Sequence, residues 1–161
     1  MPTLLGFPPI VNKHSKVVVL GSMPSVESIR IQQYYGHPRN QFWEMMKRLL
    51  KQNTIESYAD KKKMVLEHGI ALWDVVGSCQ RTGSLDVNLR EIQVNDFPCF
   101  LKKYPQIRAI FCNGQKSYRL FKGHYANIIL PVFALPSTSP AHTMPLDRKL
   151  IHWKKILPFL D

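Results

Sequence analysis

The chain is short of acid: eleven Asp and Glu stand against twenty-two Lys and Arg over 161 residues, leaving a formal net charge of +11. Cysteine is scarce as well. Cys79, Cys99 and Cys112 are scattered, odd in number and free of any C-x-x-C pair, which excludes a disulfide framework and supports neither a zinc nor an iron–sulfur site. No apolar run reaches the roughly 18 residues of a membrane span. The N-terminus, broken at Pro2, Pro8 and Pro9, has no apolar core behind a basic start. Reduced thiols, no membrane and a cytoplasmic location are expected, beside the nucleoid in a bacterial source. Neither a dinucleotide glycine fingerprint nor a G-x-S-x-G elbow occurs, so no cofactor and no metal are expected, and a Ser137 or Ser139 hydrolase using His142 lacks its strained turn.

The composition is otherwise that of a folded protein, 45% hydrophobic and 20% charged. Its length suits a single domain over residues 1–161. The basic excess is skewed: residues 97–161 hold ten Lys and Arg against two acids, a net +8, and residues 1–96 only +3. A polyanion is therefore the expected partner, and the skew points to nucleic acid rather than a general solubility bias.

Four apolar runs punctuate the chain: VVVL at 17–20, IALWDVV at 70–76, IRAIFC at 107–112 and IILPVFAL at 128–135. Non-alternating runs of this kind suit strands covered on both faces. Helical stripes separate them, the clearest joining Phe42, Met45, Met46, Leu49 and Leu50. Further helices are expected at 57–68 with Gly69 as stop, at about 97–104 capped by Asn95 or Asp96, and at 115–122. The last starts from Pro145 at the first helical position, with Leu146, Leu150, Trp153 and Leu157 buried. Residues 78–96 read as a long connection with little periodicity. The order predicts a three-layer α/β/α sandwich with a central four-stranded parallel sheet, its site in the loops GSMPS, DVVGSCQRTGSLD, NGQKS and LPSTSPAH.

Together, GSMPSVESIRIQQYYGHPRNQFW (21–43), WDVVGSCQRTGSLD, FCNG and LPSTSPA resemble the hypoxanthine-DNA glycosylase branch of the uracil-DNA glycosylase superfamily. The resemblance spans roughly residues 16–156, with four separated motifs in family order. It implies a four-stranded parallel sheet between helices, and a monofunctional hydrolase that excises deaminated bases, above all hypoxanthine, in base excision repair. The implied partner is double-stranded DNA containing deaminated bases, with single-stranded DNA as a further form and a monomer as the working unit. Most branches place Asp, Asn or Glu beside the first-motif proline to position water. Here that loop offers Ser22, Met23 and Ser25, and a thioether cannot hold water.

In the hypoxanthine branch the Asn closing QQYYGHPRN is tied to activity, which makes Asn40 the catalytic candidate. On propensity alone Asn40 is also a good helix cap. The base pocket is expected from Ser22, Met23, Tyr35, Phe42 and Asn113, with Tyr34 a further stacking candidate and Asn113 able to pair a base edge as donor and acceptor. DNA contacts are expected from Ser25, His37, Arg39, Arg81, Lys116, Ser137, Thr138, Ser139 and His142, the LPSTSPAH loop matching the motif that enters the minor groove. Asp86 is read as a loop-organising residue. Asp74 and Asp86 could do acid–base work, but their spacing does not show a shared face. Two rival readings stand beside this one: a uracil or mismatch glycosylase, and a non-catalytic lesion-binding module, which the acid missing from GSMPS favours.

Overall fold

In the computed structural model, which describes residues 2–161, the run VVVL forms the buried centre of the molecule. Strand β2 (Val17–Gly21) has no exposed residue and is flanked by β3 (Ile70–Asp74) and β6 (Ala109–Asn113), with β7 (Val132–Leu135) beyond β6. All three pairings are parallel, and Gly21 faces Asp74 across the first of them. Alternation along β2 sends Val17 and Val19 to one face and Val18 and Leu20 to the other. Under Val17 pack α2 (Phe42–Leu49), α3 (Tyr58–Glu67) and α6 (Leu146–Trp153); under Val18 pack α4 (Phe97–Lys103) and α5 (Gln115–His124). The result is the α/β/α sandwich expected from the apolar runs.

Helix boundaries follow local chemistry. Ser57 accepts from the Asp60 N–H and Asp96 from the Cys99 N–H, each an N-cap bond. Gly69, with φ +80, ends the third helix as anticipated. Pro145 proves to be the N-cap of α6 rather than its first residue, and Leu157 lies in the 3-10 turn Lys154–Leu160 that follows it.

Two segments depart from expectation. Residues 78–96 are not structureless: β4 (Val76–Gln80) and β5 (Arg90–Val94) join β1 (Leu4–Leu5) in an antiparallel sheet, with a 3-10 turn, Asp86–Asn88, between β4 and β5. IALWDVV thus splits at Val75, one strand ending at Asp74 and the next beginning at Val76. A short helix α1 (Val26–Ile31) also opens at GSMPS, capped by Ser25, whose Oγ accepts from the Ser28 N–H. Among the described residues no helix is long and apolar enough to cross a membrane.

Candidate active site

The chain leaves β2 toward β3 on one side and later returns to β6 on the other, so the sheet's switch point lies beyond the carboxyl ends of β2 and β6. A pocket of about 350 Å³ opens there. All four strand-end loops line it, among them Ser22, Met23, Asp74, Asp86, Asn113 and Ser137, joined by Tyr35 and Asn40 from the stretch after α1. A broader cleft of about 800 Å³ at the other end of the strands, bordered by Lys16, Gly69 and the C-terminal 3-10 turn, contains none of the motif residues.

Asn40 sits one residue before the cap of α2. Its Oδ1 accepts from the Phe42 N–H at 2.9 Å, and its own N–H donates to the His37 carbonyl at 2.9 Å. That bond fixes the amide: Oδ1 is turned to the helix, with one lone pair left over, and Nδ2 is free to donate. The residue therefore serves the first turn of the helix and lines the pocket at once.

Tyr35, at φ +54, lays its ring on Phe42 with centroids 4.1 Å apart and 24° between planes. Phe42 is wholly buried behind it and does not reach the pocket, so Tyr35 alone of the two presents an aromatic surface. Tyr34 lines only the pocket's base, being 3% exposed, its hydroxyl donating to the Pro8 carbonyl. Met23 is buried against Val76, Cys79 and Leu89. Ser22 donates to Asp86 Oδ1 at 2.6 Å, and Ser84 accepts from the Val26 N–H, so the GSLD loop is pinned to the GSMPS loop.

Three polar residues are turned to internal duties. Asn113 and Thr138 form a reciprocal pair: Asn113 Nδ2 donates to Thr138 Oγ1 and the Thr138 N–H donates to Asn113 Oδ1, both at 2.9 Å. Arg81 is a clamp: it is 6% exposed, and its guanidinium donates to the carbonyls of Pro24 and Gly83, away from any phosphate. Burial pushes its pKa below the usual arginine range, with the nearby thiol and acids opposing. Sequence alone marks Arg81 only as a cation beside a glycine.

His37, Arg39 and Lys116 lie outside the pocket, His37 and Arg39 on its Asn40 flank and Lys116 in the first turn of α5. His37 Nδ1 accepts from the Arg39 N–H. Ser137 and Ser139 stay at the rim, Ser137 Oγ accepting from the Ser139 N–H, and His142 is exposed. Two residues of the last helix, Lys149 and the Trp153 expected only as part of its buried stripe, hold this loop. Fully buried Lys149 donates to the His142 carbonyl at 2.8 Å, Trp153 Nε1 donates to the Pro136 carbonyl at 2.8 Å, and burial lowers the lysine's pKa.

Asp74 is the group that sequence reading undervalued. It is 3% exposed on the pocket floor, and its Oδ2 has no hydrogen-bond partner. Burial first, and then the charge of Asp86, push its pKa up to about 7, with Arg81 acting in the opposite direction. Tyr35 Oη, which faces the Asn113 amide without a well-formed hydrogen bond, is likewise unpartnered and is held protonated by burial and by Asp74. A perturbed acid and an orphan hydroxyl in one cleft make this the candidate functional site. Among the described residues no cluster of three or more His, Cys, Asp or Glu could hold a metal.

Comparison with known proteins agrees with this geometry. The family model described as the uracil DNA glycosylase superfamily matches residues 8–161. A hypoxanthine DNA glycosylase of Methanosarcina acetivorans is 33% identical over 156 residues, 94% of this chain and 96% of that protein. One of Methanosarcina barkeri is 32% identical over 113 residues, 70% of this chain and 72% of that protein. A solution NMR structure from M. acetivorans, provisionally described as a uracil DNA glycosylase, superposes with a TM-score of 0.86 at 31% identity and 99% coverage of both chains. With the switch-point pocket, the four loops and these matches in agreement, the chain belongs to the uracil DNA glycosylase superfamily.

Proposed function

We propose that this pocket takes hypoxanthine as its chief substrate, turned out of double-stranded DNA, and that Asn40 positions the water that attacks the sugar. The chain is a DNA glycosylase, a monofunctional hydrolase of N-glycosyl bonds that removes deaminated bases from DNA. One observation carries the assignment of Asn40: a pocket-lining amide whose orientation is fixed by the Phe42 N–H, within a first motif that has no acid.

Cleavage passes through an oxocarbenium-like sugar and a departing base that gathers negative charge. Asn40 supplies orientation, the second lone pair of Oδ1 accepting a hydrogen of water and Nδ2 remaining a donor. An amide is a poor base, so the reaction is driven by the leaving group and runs slower than with a carboxylate. Extrusion costs a few kcal/mol, least for a mispaired base. Tyr35 offers a stacking face, and its support on Phe42 keeps that face still. The whole chain acts as one glycosylase domain and as a monomer, with Ser137, Ser139, His142, His37, Arg39 and Lys116 meeting the DNA backbone around the pocket; single-stranded DNA is a further substrate form.

The test is excision from otherwise identical duplexes containing hypoxanthine, uracil or xanthine, followed by alkaline cleavage at abasic sites. Hypoxanthine should be released fastest. Faster release of uracil would make the chain a uracil glycosylase, and strand breaks on none of the duplexes would leave it a lesion-binding module.

A further inference from the structure

Asn113, expected to read the base edge, has both polar atoms of its amide engaged by Thr138. Two pocket-lining side chains are left with an unpartnered buried polar atom, the Tyr35 hydroxyl and the Asp74 carboxyl, and of these only the carboxyl can offer a donor and an acceptor side by side. Its mount is fixed on every side. Asn95 Nδ2 donates to the Asp74 carbonyl at 2.7 Å, the Val75 N–H donates to the Gly21 carbonyl at 2.8 Å, and a Cβ on Gly21 would come within 2.4 Å of Asp74 Oδ1.

A desolvated, unpaired carboxylate is the costliest state for such a group, whereas a neutral carboxyl carries one donor and one acceptor side by side. Of the groups around it only Arg81 supplies a counter-charge, and burial together with the like charge of Asp86 outweighs it. Tyr34 and Tyr35 face it from the stretch after α1 and stay protonated, Asp86 faces it from the 3-10 turn with like charge, and Asn95 and Asn113 are neutral. Arg81, following β4, is the cation among the described residues that acts on Asp74; its Nε and Nη2 donate to two carbonyls, its Nη1 is buried without a partner, and no nitrogen of it bonds the carboxyl. His142 stands across the pocket on the exposed rim.

We propose that Asp74, as a neutral carboxylic acid, is the group that reads the extruded base, its O–H donating to the carbonyl and its C=O accepting the N–H of a lactam edge. This inference rests on the pocket being a base-excision site. The ligand class is a base with adjacent N–H and C=O groups, which hypoxanthine, uracil and xanthine share. Ionised Asp74 offers only acceptors and repels the base carbonyl, so recognition weakens as the proton leaves.

The experiment measures kcat/KM on a duplex containing hypoxanthine from about pH 6 to about pH 8 for wild type, Asp74→Asn and Asp74→Ala, with the melting temperature of each protein recorded. Wild-type kcat/KM should fall toward high pH, approaching tenfold per unit above the midpoint. Asp74→Asn, an isostere with donor and acceptor but no ionisation, should give a flat profile and recover much of the loss seen in Asp74→Ala, expected to be about tenfold or more at low pH. A wild-type profile that rises with pH, together with Asn as poor as Ala, would overturn the proposal in favour of a general base. A common profile for wild type and Asn would also overturn it, leaving Asp74 a structural residue. If Asp74→Ala does not fold, the comparison of wild type with Asn decides alone. Absence of excision by wild type at every pH would sink the excision reading and this inference with it.

Discussion

Thr138 is tied to two motifs at once: its side chain and N–H pair with Asn113, and its carbonyl accepts the Gln41 N–H at 3.0 Å. The loop that follows β7 is thereby locked both to the end of β6 and to the residue next to Asn40.

Breaking that pair should loosen the site as well as the fold. Asn113→Ala and Thr138→Val are each expected to cost about 1–3 kcal/mol in urea unfolding, because each leaves a buried group unpaired. Their double mutant should cost less than the sum, with a coupling of about 1–2 kcal/mol. Strict additivity would mean the two residues act apart.

Asn40 has two roles that mutation can separate. Asn40→Ala should remove excision and also lower stability by about 1 kcal/mol, since the Phe42 N–H loses its acceptor. Asn40→Asp keeps an acceptor there and should melt with wild type. Preserved excision in a destabilised Asn40→Ala protein would reduce Asn40 to a cap.

Asp74 makes stability depend on pH with a definite sign. Its pKa is about 7 in the fold against an ordinary value of 3.8, so the folded protein holds the extra proton between those limits. The unfolded state binds fewer protons there, and stability falls as pH rises through that window and levels off above it. Asp74→Asn removes this dependence and should exceed wild type at about pH 8 by on the order of 4 kcal/mol. Chemical denaturation at a series of pH values measures it.

Binding to duplex should weaken with salt, log Kd changing linearly with log salt. Lys116→Ala should reduce that slope by about 1 if Lys116 meets a phosphate. Arg81→Ala should leave the slope unchanged and instead lower stability by about 2–4 kcal/mol, because the carbonyls of Pro24 and Gly83 are left unpaired.

The parallel sheet was legible because its strands are apolar on both faces, as VVVL and AIFC are, in runs too short for buried helices and bounded by polar or glycine-containing loops. The antiparallel sheet was not. In β5, REIQV alternates weakly and is mostly exposed, and β1 is two residues whose partner, Cys79 for Leu4, lies far along the chain. The site divides the same way. Loops at strand ends follow from topology, so Ser22, Asn113 and Ser137 were found near one another, whereas Asn40, in the stretch between α1 and α2, came from the family resemblance. What a side chain does inside such a loop depends on neighbours that sequence does not display: Arg81 was read as a phosphate contact and faces carbonyls, Phe42 was read as lining and supports Tyr35 from behind, and the burial that raises the Asp74 pKa leaves no mark in WDVV.

The chain passes from the parallel to the antiparallel sheet with Val75 as the sole residue between, so the pocket floor is clamped from two directions. A floor mounted in this way does not adapt to its guest. Attempts to retarget the enzyme to other damaged bases should therefore gain more from replacing the side chain at position 74 than from randomising the loops, which are themselves held by the Ser22–Asp86 and Asn113–Thr138 bonds.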